Sequence, residues 1–214
     1  MTAQHERTTR ISSTSRVEAF SDGVMAIAIT LLVLDLRVPT EADVAASGGL
    51  LAALLAMWPR YVAYLAGFFT IGIIWLNHHA LVDAISRFDW RLMWLNLFLL
   101  LGVATLPFTT AVMAEYVATG GRDATVAAAV YGALALVMAV PWSLIWIHLR
   151  DHPQLLEPGF TAADASAALR RNIFGPLVYG AAIAVAFISP IAALVMYIAI
   201  AAYFALGRQP DHSA

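Results

Sequence analysis

The sequence predicts an all-α integral membrane protein with six transmembrane helices in each chain. Three observations lead there. Of 214 residues, 61% are hydrophobic and only 12% are charged, about half the charged share of a soluble domain. The mean hydropathy is +0.78. Apolar stretches approaching the roughly 20 residues that a bilayer core requires recur along the whole chain, separated by polar connections.

The first predicted span covers Val17 to Leu36. A short apolar helix from Leu50 to Met57 precedes the second, which begins near Pro59 and ends at Asn77. The third runs from Trp90 to Glu115 and the fourth from Asp123 to Leu149. The fifth covers Asn172 to Ile188 and the sixth Ile191 to Leu206, with Ser189-Pro190 as the turn between them. Pro107 and Pro141 each remove a backbone donor inside a span, and Thr109 and Thr110 are placed to satisfy the carbonyls freed near Pro107. Thr161 and Asp164 have the spacing of a cap for a short helix feeding the fifth span.

Residues 1–14 are rich in Ser, Thr and Arg and lack the apolar core and cleavage site of a signal peptide, so a disordered cytoplasmic tail is expected there. Residues 15–208 then form the six-span domain and residues 209–214 a C-terminal tail. An even number of spans puts both termini on one side. Lys is absent, and with the termini inside, nine of the twelve arginines fall inside and only Arg37, Arg60 and Arg122 outside. That distribution follows the positive-inside rule. Trp58, Trp75, Trp90, Trp94 and Trp146 fall toward predicted span ends, as interfacial aromatics do. A multi-pass protein of the cell membrane, in contact with lipid, is the expected setting.

The same composition excludes several function classes. With no Cys, disulfides, thiolate metal sites and Cys nucleophiles are absent. A net charge of −2 gives no reason to expect a nucleic-acid partner. The apolar spans hold no cluster of nucleophile, base and metal ligands, so no enzyme, no catalytic residue and no cofactor are expected. His78 and His79 are adjacent, and neighbours on a helix point about 100° apart, a poor arrangement for chelating one ion. No metal site is expected.

The first span carries the strongest signal. It reads R-V-E-A-F-S-D-G-V-M-A-I-A-I-T-L-L-V-L from Arg16 to Leu34. Charged groups beside a membrane core are costly and mark a partner or a pathway. At about 100° per residue, Phe20, Leu31 and Leu34 lie within about 40° of Ile27, and Thr30 about 60° to one side. Ser21 and Asp22 lie about 120° and 140° away, facing neighbouring helices. Read from periodicity alone, the aliphatic stripe is ordinary helix packing.

Arg16-x-x-x-Phe20-Ser21-Asp22 resembles the R-x-x-x-F-S-D signature of the transmembrane protein 175 family, potassium-permeable channels of endosomes and lysosomes with bacterial homologues. Trp75-Leu-Asn-His-His79 and Leu106-Pro-Phe-Thr-Thr110 resemble the family as well. The likeness covers residues 15–208. It implies a homotetramer whose central pore is lined by the first helix of each subunit. It also implies that Ile27 forms the narrowest ring, Leu31 and Leu34 the next rings outward, and Thr30 a hydroxyl layer beside the constriction. Such a ring gates by dewetting, and with no T-V-G-Y-G carbonyl filter the preference for potassium over sodium is modest.

The resemblance further implies that Arg16, Phe20, Ser21 and Asp22 belong to a structural polar network. The expected partners are Trp75, Asn77, His78 and His79 at the inner end of the second span. Asp89, Arg91, Trp94 and Asn96 begin the third span at matching depth. An ion-binding role for Asp22 is the rival to a structural one. A potassium-permeable channel is the leading functional expectation, a proton channel of the same architecture the alternative. A secondary transporter is less favoured, since no internal repeat is visible.

Overall fold

A computed structural model of the chain describes residues 2–206, with side chains from Thr14 onward apart from Ala118. Within them the fold is helical: α1 Thr2–Leu31, α2 Glu41–Ser47, α3 Leu50–Ala56, α4 Trp58–Asp83, α5 Trp90–Tyr116, α6 Gly121–Asp151, α7 Ala162–Asn172, α8 Phe174–Ala186 and α9 Pro190–Leu206. A single 3-10 turn, Leu32–Asp35, extends α1. The end of the bundle where Ser21 lies is called lower, and the end near Asp35 upper.

Four helical segments are long and apolar enough to cross a membrane: Thr14–Asp35, α4, α5 and α6. The helices α8 and α9, expected as the fifth and sixth spans, have 13 and 17 residues. At about 1.5 Å per residue they reach only ~20 and ~26 Å, short of a ~30 Å hydrocarbon core. Helix α1 also begins earlier than expected. It runs back to Thr2, through the stretch read as a disordered tail. The C-terminal tail, residues 209–214, lies outside the described residues.

Local chemistry explains most boundaries. Thr40 and Thr161 each cap a helix through reciprocal bonds with the Asp three residues on, Asp43 and Asp164. The first of these opens α2, which the apolar pattern missed because the helix buries no residue. Asp89 accepts from the Leu92 amide at 2.8 Å and starts α5. Pro107 and Pro141 both lie within unbroken helices. Near Pro107 it is Thr105 that bonds the Leu101 and Gly102 carbonyls, at 2.8 and 3.0 Å, while Thr109 bonds Leu106. The buried Thr110 hydroxyl has no hydrogen-bond partner among the described residues, contrary to its expected role.

Three buried clusters hold the helices together. One joins α1, α4 and α5 through Met25, Ala28, Leu32, Ile71, Leu99 and Val103. A second, rich in alanine, joins α5, α6, α8 and α9 near the upper end. The third closes the lower end, where Leu81, Ile85, Leu149 and Leu156 meet. Trp146 belongs to this third cluster at 4% exposure, so it is a core residue and not the interfacial aromatic expected. An isolated antiparallel bridge, Ile85–Leu156, ties the α4–α5 turn to the segment before α7.

Lipid tails are as apolar as side chains, so helices in a membrane associate through close packing, which small residues permit. Gly132 of α6 shows this. A methyl group there would stand 2.3 Å from Tyr197 Oη of α9 and 2.7 Å from Ile183 Cγ1 of α8. The Tyr197 hydroxyl donates to the Ala128 carbonyl at 2.9 Å and leaves no slack. Gly132→Ala is expected to destabilise the protein by ~1–3 kcal/mol through overpacking. A thermal melt in detergent checks it, and adding Tyr197→Phe should recover part of the loss by removing the clashing oxygen.

A candidate pore helix and its polar anchor

Helix α1 has two opposite faces. Ser21, Met25, Ala28 and Leu32 are essentially inaccessible, and their spacing of four, three and four residues marks one buried stripe. On the opposite side Phe20, Ile27, Leu31 and Leu34 are 55, 62, 43 and 73% exposed. Thr30 is exposed as well, and its hydroxyl donates to the Ile27 carbonyl at 2.8 Å. That bond occupies the hydroxyl proton and leaves oxygen lone pairs for other partners. Leu34 sits in the 3-10 turn, where residues three apart eclipse one another, so it stands over Leu31 more closely than α-helical angles predict.

The buried stripe is pinned by a chain of polar groups crossing three helices. His78 of α4 and Asn96 of α5 are 1 and 3% exposed. Asn96 Nδ2 donates to Ser21 Oγ at 3.0 Å, and Ser21 Oγ in turn donates to the Val17 carbonyl at 2.8 Å. Asn96 Oδ1 therefore faces His78 Nε2, 2.8 Å away, and accepts its proton. Every link has a donor and an acceptor, as a polar chain in an apolar interior requires.

A second link lies beside it. Trp75 Nε1 donates to Asp22 Oδ1 at 2.9 Å. Trp75 also stacks on His79, with ring centroids 6.0 Å apart. His79 lies 3.4 Å from a Glu18 carboxylate oxygen and 3.8 Å from one of Asp83.

The structure joins some of the residues expected in this network and leaves others apart. Ser21 and Asp22 reach α4, but Ser21 does so through Asn96. Asn77 donates to the Ile73 carbonyl and accepts from Arg171 at 3.2 Å, so it reaches toward α7 and α9. His79 meets Glu18, a residue the motif reading did not single out. Arg16 is exposed and makes no ion pair with the described residues, and Phe20 lies on the exposed stripe. Depth had placed Asn96 level with the motif. That it is the connector depends on how α5 is rotated, which its nearly uniform apolarity conceals.

Asp35 and Arg60 meet at the upper end. Arg60 pairs with Glu115 and also donates to the Asp35 carbonyl at 3.4 Å. At the lower end, outside α1, Asp89 and His148 Nε2 stand 2.6 Å apart. Burial alone would raise the Asp89 carboxyl, but the Leu92 amide and His148 together hold it below the usual carboxylate range. A lowered folded value means stability that is present above pH ~4 and lost as pH falls through the Asp89 value. The melting temperature is expected to fall in that acid range. Asp89→Asn, which keeps a good N-cap, is expected to flatten the fall. Among the described residues, no group of three His, Asp or Glu side chains is placed to hold a metal ion.

A family model described as the endosomal/lysosomal potassium channel TMEM175 matches residues 16–107. Those residues contain α4, the whole of the anchor and most of α5. A potassium channel of Streptomyces collinus is 42% identical over 200 residues, covering 94% of this chain and 95% of that protein. The chain belongs to the TMEM175 family. A crystal structure of a TMEM175 homologue from Chamaesiphon minutus, described as a lysosomal potassium-selective channel homologue, superposes with a TM-score of 0.79 at 38% identity. It covers 90% of this chain and 96% of that one. The human endosomal/lysosomal proton channel TMEM175 is 45% identical over 100 residues, which is 44% of this chain and 20% of that protein. TMEM175 proteins are channels, so the anchor belongs to a channel family and not to an enzyme.

Proposed function

We propose that the chain is one subunit of a homotetrameric, potassium-permeable cation channel, with α1 from each subunit lining the pore. The observation that carries this reading is the division of α1. Its buried face is hydrogen-bonded into the subunit, and its opposite face leaves Phe20, Ile27, Thr30, Leu31 and Leu34 free to meet a shared axis. Ile27 forms the narrowest ring, Leu31 and Leu34 the rings above it, and Thr30 supplies hydroxyl oxygens beside the constriction. Aliphatic rings of this kind close by expelling water. Potassium passes more readily than sodium by a modest margin.

In this reading α8 and α9 complete six crossings in residues 15–208, with local thinning of the bilayer offsetting their shortness. Both termini are cytoplasmic in the cell membrane, as the arginine distribution favours. Asp22 is structural. Its carboxylate is engaged by Trp75 and lies off the Ile27 stripe. A proton-conducting pore of the same architecture is the second reading, favoured by the human relative's designation as a proton channel.

Ion flux from liposomes holding the purified protein tests both. A potassium gradient with a potassium ionophore absent is expected to drive a dissipative, voltage-dependent flux. Flux of protons without potassium would select the second reading, and no flux of either would end both.

A further inference from the structure

The helices α4 and α9 flank a cleft that the pore reading does not use. Thr70, Ile74 and Asn77 form one wall, Ala201 and Phe204 the other, and Tyr131, Met138 and Trp142 of α6 contribute to its depth. It holds about 100 Å³, opens to the outside of the bundle, and lies within the length of the membrane-crossing helices.

Its polar groups are turned to partners in the protein. Tyr131 packs against Tyr197, with ring centroids 5.1 Å apart. Asn77 donates to the Ile73 carbonyl at 2.8 Å, and Asn172 donates to the Ala168 carbonyl at 2.8 Å. What remains toward the cleft is mainly hydrocarbon and ring surface. An apolar cavity is not a stable place for water, which needs two to four polar partners.

The lower end is different. Arg171 donates to Asn77 Oδ1, and Asn77 Nδ2 approaches the Phe204 carbonyl at 3.5 Å, so a guanidinium stands at the end of the cleft. Arg170 beside it is exposed. Both sit in the last turn of α7, an 11-residue helix packed into the cluster that closes the lower end of the bundle.

We propose that this cleft is a binding site for one anionic phospholipid of the lower leaflet. Part of an acyl chain occupies the space between α4 and α9, and the phosphate lies by Arg170 and Arg171. The volume accommodates several methylenes of one chain, with the remainder lying along the open side. The occupant would cement α4, in the pore-forming half, to α9, which otherwise touches it sparingly.

The full chain, reconstituted with phosphatidylglycerol carrying a diazirine midway along one acyl chain, provides the test. Irradiation is expected to label peptides from α4, α6 and α9 that line the cleft. Ala201→Phe fills the cleft and is expected to reduce that labelling about tenfold. Ala202→Phe, on the exposed neighbour of Ala201, should leave it unchanged. Equal labelling in both variants, with unaltered size-exclusion profiles, would overturn the site. A photoreactive residue at position 201 that cross-links to a second copy of the chain, and not to lipid, would overturn it too by showing that protein covers the cleft. Phosphatidylglycerol is expected to outcompete phosphatidylcholine, and Arg170→Gln with Arg171→Gln to abolish the preference. Equal competition by the two lipids in the unmodified protein would refute the headgroup assignment.

Discussion

Asn96→Leu is expected to lower the melting midpoint of the detergent-solubilised protein by about 2–8 °C. The reasoning starts from the chain His78–Asn96–Ser21. Leucine matches asparagine closely in volume, so no large cavity opens. It leaves the Nε2 proton of His78, a buried residue, without its acceptor. An unsatisfied buried donor costs ~1–3 kcal/mol, while a typical interhelical hydrogen bond in a membrane averages nearer ~0.6. Taking ~1–2 kcal/mol, and ~2–4 °C per kcal/mol for a chain of this size, gives the quoted range. Replacing both partners by apolar groups of similar shape is nearly neutral. His78→Phe added to Asn96→Leu should therefore be less damaging than Asn96→Leu alone. Trp75→Phe removes a bond in a more exposed place and should cost less than Asn96→Leu. A melt unchanged by Asn96→Leu would mean that the three-helix chain contributes nothing to holding α1.

Ile27→Asn is expected to raise single-channel conductance about tenfold or more and to weaken discrimination between potassium and sodium. In the tetrameric reading one substitution changes four side chains at the narrowest ring. Aliphatic rings exclude water, and an ion crossing them sheds hydration with nothing to replace it. Amide groups retain water, and lowering the barrier by only ~1.4 kcal/mol is a tenfold change in rate. Ile27 is 62% exposed within the subunit, so the variant should fold and melt normally. Unchanged current in a normally assembled Ile27→Asn channel would remove Ile27 from the constriction. Leu34→Asn, two rings out, should have the smaller effect.

These two variants separate what was legible in the chain from what was not. The α1 stripe was legible because an α-helix has one rigid period, and Ser21, Met25, Ala28 and Leu32 are buried where that period places them. The ends of α4, α5, α6 and α9 were legible to within a few residues outside the lower end of α4. There His78 and His79 remain inside a helix that continues to Asp83, because polar residues at the base of a span need not stop it. The α2 cap was present in the letters as Thr40 and Asp43, but seven residues that bury nothing give no apolar period to notice. Trp146 was misplaced for the opposite reason. A tryptophan near a span end belongs equally well to a lipid interface or to a packed core, and here it is buried in the cluster that closes the lower end.

By itself the sequence determined the membrane class, the positions of the long helices and the division of α1 into two faces. Each follows from local quantities: composition, length and helical angle. The tertiary structure alone decided which polar residues meet. It sends Asn77 to Arg171, Glu18 to His79, and Asn96 between Ser21 and His78. Those pairings depend on the rotation of each helix about its own axis, and in helices apolar on nearly every side no local pattern records that angle. Packing sets it, through glycine contacts, buried alanines and the few hydrogen bonds that an apolar interior leaves no alternative but to satisfy.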